Sequence, residues 1–233
     1  MRYTSFAGFG FVLAVAAAIA VTGSVPSATQ PPTEISQYFA EHRTQFLIAA
    51  WLGFPIVALF SAFATALCDH LIAIDVREAT PLRWAWAGAL LSSAALLIAS
   101  AIQAAMAYHA VAISVVSFAY DLYNFTLSIG SLTTWGWFLF MVSRSILRLN
   151  AFPAWLGWFG VVSAIINWVL SLSLAFQSGP LAPGGSAFFL YIVGLLWTIA
   201  MSVAVLKSRE RQVTKRAASR SPAIDAAQHA ALL

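Results

Sequence analysis

The stretch Ser143–Gly160, SRSILRLNAFPAWLGWFG, decides how this chain is read. It places Arg144 and Arg148 before an Asn-Ala-Phe-Pro break and a tryptophan-rich restart after it, with long apolar runs on either side. Proline lacks a backbone N–H, so it ends one helix and is tolerated at the first turn of the next. Arginines crowd the cytoplasmic flanks of membrane helices, and tryptophans such as Trp155 and Trp158 sit at the level of the lipid head groups. The stretch therefore reads as a cytoplasmic turn between two membrane spans.

Composition supports that reading. Only 9% of the 233 residues are charged and 61% are hydrophobic, with a mean hydropathy of +0.84. A soluble domain carries roughly 25% charged residues, so lipid must cover much of this surface. The formal net charge of +4 comes from basic residues beside apolar runs, not from a basic patch interleaved with aromatics. That pattern marks membrane orientation and sets nucleic acid aside as a partner. Cys68 is the only cysteine, which leaves no intramolecular disulfide and no thiolate cluster to build.

A helix needs about 20 apolar residues to cross the hydrocarbon core, and its backbone groups must be paired within the segment. Six stretches meet this: 5–25, 44–68, 84–108, 122–147, 154–176 and 186–206. The expected fold is all-α, a polytopic bundle of six transmembrane helices over residues 1–206. The segment 207–233 comes after it as a basic, then Ala/Ser-rich tail, expected to be disordered. The first stretch also has features of a signal peptide, with Arg2 before the apolar run and small residues around Thr22–Ser24. Its run is longer than a usual signal core, so it is expected to remain as a span.

Between the first two spans, Pro26, Pro31 and Pro32 break the helix, and Glu34–Arg43 has an amphipathic pattern. Ile35, Tyr38 and Phe39 share its apolar side. The expectation is a helix lying in the membrane interface, with a lid over an outward cavity as the second reading. Pro55 is expected to kink span two. Asp69–Arg83 reads as a charged connection and Tyr108–Tyr123 as one without Lys or Arg. In span three, Ala89, Ser93, Ser100, Ala104 and Ala107 form a small-residue face suited to close helix contact. Span four carries Asn124, Ser128, Ser131 and Trp135 on one face, and span five carries Gly160, Ser163, Asn167 and Ser171 on one side.

With the N-terminus inside, eleven of the twelve Lys and Arg residues fall on cytoplasmic segments and only Arg43 lies outside. This bias puts both termini in the cytoplasm. The excess of arginine over lysine and the abundant alanine are common in GC-rich bacterial genomes, so the expected location is the bacterial cytoplasmic membrane. Lys207, Arg209, Arg211, Lys215 and Arg216 of the tail are expected to attract anionic lipid, by about 1 kcal/mol each. AWLGF at Ala50–Phe54 and AWLGW at Ala154–Trp158 echo each other across the halves of the chain. Three spans per half is the inverted-repeat plan of several transporters.

Chemistry-bearing residues are sparse. His42 and His109 stand at outer helix ends, where two imidazoles facing each other would suit a b-type haem. With Glu41 and Asp121 they are also the candidates for an outer metal site. Neither set has ligand spacing, and polar-tipped rings suit the interface equally well. No nucleophile elbow, P-loop or dinucleotide fingerprint occurs. The polar stripes of the spans are Gln103, Asn124 and Asn167 with Ser93, Ser128, Ser131 and Ser163, read either as interhelical packing or as a substrate path.

With these parts assembled, the chain resembles a family of six-span bacterial membrane proteins, common in actinobacteria, defined only as a domain of unknown function. The residues that carry the resemblance are Tyr38-Phe39 with His42-Arg43, the turn ending FPAWLGWFG, and Trp197 with the basic exit after it. The resemblance runs from about Ser36 to Lys207 and implies the topology; it supplies no catalytic residue. The expected function is that of a multi-pass membrane protein without enzymatic activity or cofactor, with a structural, accessory or partner-binding role. Its expected partners are membrane lipids, a second copy of itself or another membrane protein. The alternative is a small-molecule transporter that uses the polar stripes of spans three to five.

Overall fold

A computed structural model describes residues 2–23, 25–26, 30–109, 113–176, 179 and 186–208. Every regular element among them is helical. In chain order these are α1 (Arg2–Thr22), the short α2 (Pro32–Glu41) and α3 (Arg43–Ile72). A 3-10 turn (Val76–Glu78) leads into α4 (Ala79–His109). α5 (Ile113–Phe125) passes through a π-helical segment (Thr126–Leu132) into α6 (Thr133–Leu149). α7 (Ala154–Ser171) and α8 (192–208) complete the bundle.

Six segments are long and apolar enough to cross a membrane: Tyr3–Thr22, Arg43–Ile72, Val76–Tyr108, Val115–Leu149, Ala154–Ser171 and Phe189–Ser208. The all-α expectation and the number of spans therefore hold, and the chain is a multi-pass membrane protein. The fourth span starts earlier than residue 122, because the expected Tyr108–Tyr123 connection is largely the helix α5. Its sequence ISVVSFAY is apolar enough to continue the span, and Asp121 simply faces outward. The Asp69–Arg83 connection likewise shrinks to the short link between Ile72 and Val76. There Asp75 Oδ1 accepts a 2.9 Å hydrogen bond from Arg77 N, capping the 3-10 turn. The fifth span stops at Ser171, short of residue 176, and tightens into a 3-10 turn over Leu172–Ala175. Residues 209–233 of the expected tail lie outside the described residues.

The break at Asn-Ala-Phe-Pro works through two backbone devices. Asn150 takes the left-handed conformation, at φ 48° and ψ 31°, and ends α6, a role that asparagine fills with little strain. Pro153 then fixes an extended entry at φ −52° and ψ 134°, and its carbonyl accepts the first bond from Leu156 N at 3.0 Å. At this turn α6, α7 and α8 meet closely. A Cβ on Gly160 would collide with Ser143 Oγ and stand 2.6 Å from Trp197 Nε1. The Trp197 indole, fully buried, donates to Leu156 O at 3.0 Å.

The core joins Phe60, Phe63 and Leu67 of α3 to Phe138, Leu139 and Val142 of α6 and to Trp197 and Met201 of α8. The Phe138 ring meets Phe60 and Trp197 edge-on, at 5.4 and 6.3 Å. Between membrane helices such packing, rather than escape from water, supplies the association energy. Small residues permit the closest approaches. Gly8 of α1 faces Ser202 of α8, and Gly53 of α3 faces Ser100 of α4. The two AWLG copies share an orientation, with Trp51 and Trp155 exposed and Gly53 and Gly157 buried. Trp84, Trp86, Trp155 and Trp158 are all exposed near the helix ends that carry Arg83 and Arg148, which form the basic end of the bundle.

α2 forms a second packing cluster at the opposite end. Its Ile35 and Phe39 are buried against Phe46, Met106, Val116 and Tyr120. The apolar side expected to face lipid thus faces protein. Tyr38 Oη donates to Thr22 O at 3.2 Å, and Tyr120 Oη donates to Pro26 O. These bonds fasten α2 and the end of α1 beside the mouth of a cavity.

Candidate functional site

The cavity, of about 450 Å³, lies in the half of the bundle away from the α6–α7 turn. Its walls come from α1, α3, α4, the α5–α6 span and the start of the last span. Phe60 and Trp135 lie toward its deep end, and Thr22, Gln103 and Tyr123 toward the α2 end. The size falls within the roughly 300–1,000 Å³ of small-molecule sites. No Asp, Glu, Lys, Arg or His contributes to the walls among the described residues. The surface is therefore apolar with one polar wall, built mainly by α4.

That wall is a row of hydroxyls ending in an amide. Ser93 Oγ lies 3.1 Å from Ser61 Oγ of α3. Ser92 Oγ donates to Ser131 O at 3.1 Å and lies 3.2 Å from Ser131 Oγ, tying α4 to the π-helical segment. These hydroxyls are spoken for. Gln103 is 7% exposed and makes no hydrogen bond to the protein among the described residues, and neither does Ser100 one turn earlier. Buried polar groups are nearly always paired, and an unpaired one costs about 1–3 kcal/mol. The Gln103 amide lacks a partner but opens on the cavity, whereas Trp135 Nε1 on the facing wall is a fully buried donor without a partner among the described residues.

The π-helical segment shapes the facing wall. Its i→i+5 pattern adds a residue per turn and rotates the helix beyond it. Leu127, Ser131, Leu132 and Trp135 consequently line the cavity, while Asn124 and Ser128 are directed elsewhere. Asn124 Nδ2 donates to Tyr120 O at 2.9 Å, within its own helix. Ser173 Oγ donates to Ser128 Oγ at 3.4 Å. Gly130 lets the widened turn close on α4, since a Cβ there would stand 2.7 Å from Ala95 Cβ. A constant helical period would place Asn124, Ser128, Ser131 and Trp135 on one face; the π turn separates them.

On α7, Ser163 Oγ donates to Phe159 O and Asn167 Nδ2 to Ser163 O, both at 2.8 Å. Asn167 Oδ1 is buried without a partner among the described residues, and neither residue lines the cavity. Of the seven polar-stripe residues singled out in the sequence, Ser93, Gln103 and Ser131 meet there. His42 stacks on Tyr38 at 4.2 Å, with Nδ1 3.0 Å from Tyr38 O. Glu41 accepts from Gln37 Nε2 at 2.8 Å, and Asp121 is exposed. The side chain of His109 lies outside the described residues. Among those described, no three His, Cys, Asp or Glu side chains converge as a metal site.

One polar feature escaped the sequence. Glu78, read only as a charge in a connection, is buried at the basic end. Its Oε2 accepts from Ser145 Oγ at 2.8 Å and its Oε1 pairs with Arg148 Nη1 at 3.0 Å. The carboxylate thus pins the entry of α4 to the exit of α6. Nothing in the spacing of residues 67 positions apart announces that contact.

Comparison with known proteins places no family model, no curated protein and no solved structure alongside this chain.

Proposed function

We propose that this multi-pass protein holds a small, uncharged, mainly apolar molecule in the cavity and serves as a binding or carrier component of the membrane rather than as an enzyme. The observation that carries the reading is the cavity itself: about 450 Å³, walled by five spans, with a polar strip and no charged side chain among the described residues. A charged solute would lose its hydration there without gaining a counter-charge, at a cost far above that of a neutral one. An apolar solute loses nothing on leaving lipid and gains contact with closely packed walls.

In this reading the basic end faces the cytoplasm of a bacterial cell, in keeping with the distribution of Lys and Arg, and the cavity belongs to the outer half of the bilayer. The basic tail holds to anionic lipid, and the kinship is with the six-span family that the chain resembles. The small-residue face of α4 is spent inside the bundle, where Ala89, Ser93 and Ala107 are buried and Ser100 approaches Gly53, so partner binding would use other, outward-facing residues.

Purification from membranes in mild detergent, followed by mass spectrometry of the extracted organic phase, tests the reading. The wild type is expected to carry an apolar molecule in stoichiometric amount. Leu96→Trp, which fills the cavity from α4, is expected to lose it while keeping a cooperative thermal transition. A folded Leu96→Trp protein that retains the molecule contradicts the reading.

A further inference from the structure

We infer that Gln103, with Ser100 one turn before it on α4, is the recognition point for a neutral hydroxyl head group. The ligand class would then be a single-chain, uncharged amphiphile such as a long-chain alcohol. This rests on the cavity reading above and names the chemistry that the cavity selects.

Four observations converge. First, Gln103 is more than nine-tenths buried and yet has no hydrogen-bond partner in the protein among the described residues. A carboxamide brings both donor and acceptor atoms, and here they open on the cavity with nothing in the protein to engage them. Second, the two serines deeper on the same wall, Ser92 and Ser93, already have partners. Among the described residues, the unused capacity of the α4 wall therefore lies at the Gln103–Ser100 end, and the one sealed donor at the deep end is Trp135 Nε1, which can donate but not accept. Third, the walls hold no charged side chain among the described residues. A carboxylate or phosphate head would have no cation to pair with, and an ammonium head no anion. Fourth, the remaining depth toward Phe60, Leu96 and Trp135 is mainly apolar, its serine hydroxyls being bonded to one another, and is narrowed by aromatic rings, with Phe11 5.1 Å from Phe60 and 6.2 Å from Trp135.

A neutral hydroxyl carries on one small atom both the donor and the acceptor that an amide can use. It donates to the Gln103 carbonyl oxygen and accepts from the Gln103 NH₂, with the Ser100 hydroxyl able to serve as either partner. A site built to bond a hydroxyl rejects the analogue lacking it, because its own polar atoms are then left unpaired. The hydrocarbon chain is recognised only by fit.

The test compares dodecan-1-ol, dodecane and dodecanoate as probes for the full-length protein in detergent, with affinities read by native mass spectrometry and ligand-induced shifts in Tm. The wild type is expected to prefer dodecan-1-ol over dodecane by about tenfold and to bind dodecanoate weakest at neutral pH. Gln103→Leu is expected to strengthen dodecane binding, because no amide is then left unpaired beneath the alkane, and to bring the alcohol within about twofold of it. Gln103→Asn is expected to recover part of the preference. Equal binding of alcohol and alkane by the wild type overturns this inference while leaving the cavity reading intact. So does an alcohol preference that survives Gln103→Leu, or a preference for dodecanoate. Binding of none of the three overturns the cavity reading and this inference with it.

Discussion

Ser145 Oγ donates a 2.8 Å hydrogen bond to Oε2 of Glu78, joining the entry of α4 to the exit of α6 across 67 positions of sequence. The same carboxylate pairs with Arg148 at 3.0 Å, but the Arg148 side chain is 62% exposed. The two contacts differ in weight for that reason. Ser145→Ala leaves a buried carboxylate oxygen short of a donor and is expected to cost about 1–3 kcal/mol. Arg148→Ala removes a partner that water replaces and is expected to cost less than about 1 kcal/mol. Thermal unfolding in detergent checks the order; a larger loss for Arg148→Ala would mean that the ion pair, not the hydrogen bond, holds the joint.

Gly160 permits the closest approach of α7 to its neighbours. A methyl group there meets the Ser143 hydroxyl and the Trp197 ring, both buried. Gly160→Ala is expected to destabilise by about 1–3 kcal/mol through overpacking. Gly10 is a contrasting helical glycine, since a Cβ there stands 3.2 Å from the flexible end of Leu59. Gly10→Ala is expected to stay within about 1 kcal/mol of wild type, the gain in helix propensity offsetting the crowding. Paired unfolding curves for the two variants give the comparison.

The hydroxyl of Tyr120 fastens the connection between α1 and α2 at Pro26. Tyr120→Phe keeps the ring packed on Phe39, 5.8 Å away, and deletes only the bond. The cost to global stability is expected to be about 0.5–1.5 kcal/mol. Amide exchange in α2 is expected to accelerate ahead of that in α3 and α4, because the local opening of a short element is released first. Uniform acceleration across all three helices would show that α2 is not a separable unit.

Much of this architecture is legible in hydropathy alone, and the reason is physical. Lipid forces backbone pairing into helices, so a run such as Ala154–Ser171 admits one structure whatever its neighbours do. The exit at Asn150-Ala-Phe-Pro153 is legible for the same reason, since each residue acts on its own backbone. The candidate site is legible only in part. Gln103 and Ser131 stand out as polar atoms in apolar runs, but their neighbours in the cavity, such as Phe11, Ala18 and Leu195, carry no signal until the first and last spans pack. The π turn at Thr126–Leu132 is not announced in sequence, because TLSIGSL continues an apolar span and the approach of Gly130 to Ala95 and of Ser131 to Ser92 emerges only once α4 packs beside it. Glu78 reads as solvent-facing in sequence because its partners belong to a distant span.

Photolabelling reads out directly whether the cavity takes up an apolar molecule. A dodecan-1-ol derivative carrying a diazirine along its chain, irradiated with the purified protein, labels whatever it touches. Saturable adducts are expected on peptides containing Phe60, Leu96 and Trp135, displaced by excess dodecan-1-ol and absent from Leu96→Trp. Adducts confined to outward-facing side chains such as Phe54, Leu91 and Ile129, rising with probe concentration and unaffected by competitor, would contradict uptake by the cavity.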